Sequence, residues 1–90
     1  MKMAEYIMTI LKSQPIVVWS WGFHCPVSVS NGLRFLVEGY LHKGWVEVLY
    51  DEGADLFNIR LLENNAVKQE ETGVYLDCLV NVIDRLVETK

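Results

Sequence analysis

The chain is short of almost everything that announces a chemistry. It has two cysteines, Cys25 and Cys78, too few for a disulfide-dense secreted scaffold and without the CxxC spacing of a structural zinc site. Eight Lys and Arg stand against twelve Asp and Glu, for a net charge of −4 and a pI near 5. Those cations (Lys2, Lys12, Arg34, Lys43, Arg60, Lys68, Arg85 and Lys90) are scattered, so no basic stripe exists to neutralise phosphates, and nucleic acid is not an expected partner. Glycines 22, 32, 39, 44 and 53 stand singly, which leaves no phosphate-cradling loop, nucleotide fingerprint or nucleophile elbow. Long apolar runs are missing too. The N-terminal patch is interrupted by Glu5 and followed by no small-residue cleavage site, so it reads as neither a signal peptide nor a bilayer span. These absences set the expectations: a soluble cytoplasmic domain, no membrane, no cofactor, no metal and no enzymatic activity.

What is present fits one small globular domain over residues 1–90. Hydrophobic residues make up 51 % and charged residues 22 % of the chain, too apolar for disorder. A chain of this length buries roughly 60–68 % of its unfolded surface, enough for a single core. Met3, Tyr6, Ile7, Ile10 and Leu11 recur at helical spacing, Lys12 suits a helix C-terminus, and Pro15 limits any continuation. Residues 16–21, β-branched and aromatic, read as a strand. Asn31-Gly32 is a hairpin signal. Residues 33–41 fit either a helical stripe or a strand face. Gly32, Gly39 and the preceding Asn-Gly pair favour strand.

Residues 45–50 and 56–62 read as strands joined by Asp51-Glu52-Gly53-Ala54-Asp55, and Asn64-Asn65 ends the sheet. Thr72 as an N-cap, with Glu70 and Glu71 near it, predicts a helix over 74–87. Its buried seam is Leu79, Ile83 and Leu86, with Asp77, Asp84 and Glu88 facing water. The expected fold is α+β: an N-terminal helix, an antiparallel meander of about four strands, and a C-terminal helix. Both helices cover the face carrying Phe35, Val37, Leu41, Val46, Val48, Tyr50, Phe57, Ile59 and Leu61. A Lys43-Gly44 turn would set Leu41 opposite Val46 and Val37 opposite Tyr50. The next hairpin would set Val46 opposite Leu61, Glu47 opposite Arg60 and Val48 opposite Ile59.

Three groups of residues invite a chemical reading. His24 and Cys25, with His42 and Cys78, make a Cys/His set, but their spacing matches no zinc pattern. Adjacent residues of a strand also point to opposite faces. Cys25-Pro26 reads better as a bulge or kink at a sheet edge. Glu38, Glu47 and Asp51 could share one sheet face, where Arg60 already partners Glu47. The tryptophans suggest a small-molecule platform lined by Trp19, Trp21, Phe23 and Tyr40. The runs SWGFH, NGLRF, HKGWVEV and VIDRLVE resemble a small family of uncharacterised bacterial α+β domains. That resemblance spans about residues 18–87, implies the strand reading of 33–41 and a bacterial cytoplasmic setting, and carries no site residue.

The sheet face turned away from the helices would carry Leu36, Tyr40, Trp45, Leu49, Leu56 and Leu62 among charged neighbours and His42. Bare apolar patches of a few hundred Å² usually mark an interface. The function expected is therefore that of a protein-interaction module, a homodimer or a subunit bound to another protein, with small-molecule binding as the alternative.

Overall fold

Period-two burial in the middle of the chain, flanked by two amphipathic segments, gives an antiparallel sheet with helices on one side. The computed structural model describes residues 3–88. The chain runs through α1 (Met3–Lys12), α2 (Pro15–Ser20), β1 (His24–Val29), β2 (Gly32–Glu38), β3 (Lys43–Asp51), β4 (Leu56–Glu63) and β5 (Ala66–Val74). A 3₁₀ turn (Leu76–Cys78) then leads into α3 (Leu79–Val87). The five strands lie in sequence order. The α+β meander between two helices is therefore present, with five strands rather than four.

Leu33, Phe35, Val37, Val46, Val48, Phe57, Ile59 and Leu61 alternate along β2, β3 and β4, and each is at most 3 % exposed. Ile7 and Leu11 of α1 and Leu79, Ile83 and Leu86 of α3 join them in one core cluster. The two expected core positions that differ are Leu41, which lies beyond the end of β2 and is exposed, and Tyr50, which is half-buried.

Residues 16–20 are helical rather than extended, and Trp21 is the C-cap. Pro15 occupies the first turn of α2, where its missing N–H costs nothing. Val17, Val18 and Trp21 follow the i, i+1, i+4 spacing of a helix face turned to the core. Ile16 and Trp19 face outward. The Asn31-Gly32 hairpin forms with Ser30-Asn31 as its loop, since Val29 pairs with Gly32. Only Asn31 takes positive φ (58°) there. Gly32 is needed for a different reason: a Cβ would stand 2.1 Å from the Val48 carbonyl oxygen.

Asn64-Asn65 does not end the sheet. Both residues take positive φ (53° and 66°), the signature of a type I′ turn, and Glu63 pairs with Ala66 across it. Residues 66–74 therefore form an edge strand, and the C-terminal helix is confined to α3 behind its 3₁₀ turn. The expected bulge at Cys25-Pro26 is present, with register shifting between His24 and Val27 on edge strand β1.

In α3, Leu79, Ile83 and Leu86 form the buried seam as expected, and Val80 and Val87 are buried beside them. Asp84 does not face water alone: it accepts a 2.9 Å hydrogen bond from the indole Nε1–H of the fully buried Trp21.

Candidate functional site

The register of the strands decides what the uncovered face presents. Between β3 and β4 the pairs are Val46 with Leu61, Glu47 with Arg60 and Val48 with Ile59, as the sequence implies. Between β2 and β3 the pairs are Val37 with Gly44, Phe35 with Val46 and Arg34 with Glu47, in place of Val37 with Tyr50. The connection is the four-residue stretch 39–42, since Glu38 pairs with Lys43. Expected and observed pairings differ by an even number of residues, so each side chain keeps its face and changes only its neighbours.

This register lays one charge on each of four neighbouring strands. Arg34, Glu47, Arg60 and Glu70 stand directly opposite one another in turn. Arg34 Nη2 donates to Glu47 Oε2 at 2.9 Å, Arg60 Nη1 lies 3.6 Å from Glu47 Oε1, and Arg60 Nε donates to Glu70 Oε2 at 2.7 Å. Glu47, between two guanidinium groups, is only 8 % exposed. The Arg34 guanidinium also lies 5.6 Å from the Trp45 ring centroid, within cation–π range. Arg34 Nε is buried without a hydrogen-bond partner among the described residues.

Beside this ionic row runs an apolar one. Leu36 pairs with Trp45, Trp45 with Leu62, and Leu62 with Val67. His24 continues the row on β1, opposite Leu36. Leu36, Trp45 and Leu62 are half-buried and Val67 is 53 % exposed. On the other side of the ionic row Leu49 is flanked by Gly32 and Asn58, and Leu56 pairs with Asp51. Five of the six expected surface residues (Leu36, Trp45, Leu49, Leu56 and Leu62) thus share the open face. Tyr40 is in the connection after β2 and exposed. Val67 is the member that the sequence reading missed, because its strand was not expected.

His42 is not on this face. It is 1 % exposed, its Nε2–H donates to the Trp45 carbonyl at 3.0 Å, and Lys68 Nζ donates to Nδ1 at 3.4 Å. Burial first, and the facing Lys68 ammonium as well, hold the imidazole below its ordinary pKa, against the opposing pull of the Trp45 carbonyl and Glu63.

The aromatic platform is not assembled as a unit. Trp21 belongs to the core, stacked on Phe35 with centroids 6.4 Å apart. Trp19 and Phe23 line a groove of about 230 Å³ with Met8, Leu11 and Val18, and Tyr40 is not among its lining residues. The His/Cys set also stays apart. His24 is exposed and bonds the Gly22 carbonyl through Nδ1 at 2.6 Å, while both cysteines are exposed and free. Among the described residues no group of three or more His, Cys, Asp or Glu could hold a metal ion, and no helix is long and apolar enough to cross a membrane. No family model matches the chain, and no curated protein or solved structure matches it.

Proposed function

We propose that this chain is a non-enzymatic, cytoplasmic interaction module whose open sheet face pairs with a second copy of itself. The observation that carries the reading is the order of the ionic row: Arg34, Glu47, Arg60, Glu70 across four adjacent strands. A row of alternating sign with an even number of members turns into its complement when reversed. A two-fold axis parallel to the strands, between β3 and β4, performs that reversal and leaves position along the strands unchanged. Arg34 then faces Glu70 of the other copy, and Glu47 faces its Arg60. The same operation sets Trp45 over Leu62 and Leu36 over Val67, apolar against apolar. A two-fold axis perpendicular to the strands, along the row, would stack like charge on like charge.

Stacked sheets lie about 10 Å apart with strands nearly aligned, the arrangement this axis produces. Two-fold pairing is the commonest closed assembly. Charged rows contribute register and orientation more than affinity, because each ion loses water on burial, so the apolar row must supply the driving force. The test is sedimentation velocity: the wild-type protein should sediment as a dimer at micromolar concentration and Trp45→Asp as a folded monomer. A wild-type monomer at high micromolar concentration would overturn the reading.

A further inference from the structure

A second cavity lies on the helix side of the sheet, at the end where β3 turns into β4. It is about 570 Å³ and is lined by four aromatic residues, Tyr6 of α1, Tyr50 of β3, Phe57 of β4 and Tyr75 before the 3₁₀ turn, together with Met3, Leu76, Asp55 and Asp77. This volume falls within the roughly 300–1,000 Å³ of small-molecule sites. Among the described residues no Lys or Arg lines it.

The walls are held in place by the hairpin. Asp51 Oδ1 accepts the backbone N–H groups of Gly53 and Ala54, and Asp55 takes a left-handed backbone, φ 56°. From there Asp55 Oδ1 accepts the Tyr50 hydroxyl, while the Tyr50 ring tilts 55° against Phe57 with centroids 5.4 Å apart. Hydrogen bonding to Asp55 first, then burial and the surrounding negative charge, keeps that phenol above its ordinary pKa, hence neutral.

We infer that this cavity binds a methylated ammonium group. Ring faces carry negative electrostatic potential and attract a cation whose charge is spread over methyl groups, and quaternary ammonium recognition uses such aromatic walls. The two carboxylates add long-range attraction without demanding hydrogen bonds. A primary ammonium, with three donors to satisfy, would meet an Asp55 oxygen already engaged by Tyr50.

The test uses the intact protein, isotope-labelled, titrated with choline at constant ionic strength and followed by the ring signals of Tyr6, Tyr50 and Tyr75. Saturable shifts are expected for choline, and none at equal concentration for its neutral isostere, in which carbon replaces the quaternary nitrogen. Tyr75 is 65 % exposed, so Tyr75→Ala should stay folded and weaken choline about tenfold. Asp77→Asn should weaken it less. A peptide bearing trimethyllysine, run in parallel, separates the two sources of the group. Tighter binding than choline assigns the site to a modified side chain, and equal or weaker binding to a free cation. Equal binding of choline and its isostere, no saturable shift with choline at tens of millimolar, or unchanged affinity in Tyr75→Ala would each overturn the assignment.

Discussion

On the helix side of the sheet, β2, β3 and β4 present an unbroken apolar surface sealed by α1 and α3. One residue along each strand, the same backbone presents Arg34, Glu47 and Arg60, with Leu36, Trp45 and Leu62 beside them. Both faces obey the same alternation, and they differ in what limits them. The inner face tolerates exchange of neighbours as long as volume and apolarity are kept, because hydrophobic contact is non-directional. The outer face does not, since each guanidinium needs a carboxylate on the neighbouring strand, and Glu47 serves two of them. The inner face therefore specifies that the chain folds, and the outer face specifies which strands lie side by side and how a second sheet would be oriented.

Substitutions three positions apart on β4 break the comparison most directly. Ile59→Ala, at a site with no solvent exposure, should cost about 2–5 kcal/mol in denaturant unfolding. Leu62→Ser on the half-buried outer face should cost less than about 1 kcal/mol in the isolated chain and act on self-association instead. Equal losses would mean that the outer face is as much a core as the inner one.

Glu47→Gln should cost about 1–3 kcal/mol, because it removes the shared carboxylate from between two guanidinium groups while leaving both arginines in place. The measurement is again chemical unfolding, with the loss shrinking in Arg34→Leu, where one of the two partners is already gone. A loss independent of Arg34 would mean that Glu47 acts through burial alone.

The buried imidazole gives a smaller, pH-dependent term. His42 is held below its ordinary pKa of 6.5 in the fold, so near and below that pH the unfolded chain binds more protons than the native one. Stability should therefore be fully present above about pH 6.5 and decline as the pH falls, levelling off below the folded pKa. Lys68→Gln removes one cause of the depression and should flatten the decline. A pH profile unchanged by that substitution would leave burial as the sole cause.

The two faces were also unequally legible in the sequence. Face assignment survives errors of pairing: the β2–β3 hairpin forms with its strands six residues off the expected register, read from Leu41 opposite Val46 against Phe35 opposite Val46, yet the in/out alternation is unchanged because the slip is even. Neighbours do not survive it, so Arg34 was not expected opposite Glu47. Asn64-Asn65 carried the information for β5, since asparagine tolerates positive φ better than most residues, but the Lys-Gln-Glu-Glu run after it has poor strand propensity. Pairing with β4 overrides that propensity, with Glu70 on Arg60. In residues 16–21, β-branched composition pointed to a strand while the spacing of Val17, Val18 and Trp21 and the leading proline pointed to a helix. Spacing prevailed because Trp21 has both an apolar neighbour in Phe35 and a polar one in Asp84. The aromatic cavity drew no signal at all, as its aromatic lining residues come from α1, β3, β4 and the connection before the 3₁₀ turn.

Arg34 and Glu70 offer the most direct test of the account. They sit at opposite ends of the ionic row, three strand spacings or about 14 Å apart, so within one chain they do not touch. In the two-fold arrangement each faces the other across the interface. Dimer dissociation constants measured by sedimentation for Arg34→Glu, Glu70→Lys and the double variant isolate their coupling. Each single swap should weaken the dimer about tenfold or more, and the double swap should return it to within a few-fold of wild type, because residue 34 again faces an opposite charge at residue 70 of the other copy. Single-swap effects that simply add in the double variant would contradict the two-fold pairing of the open face.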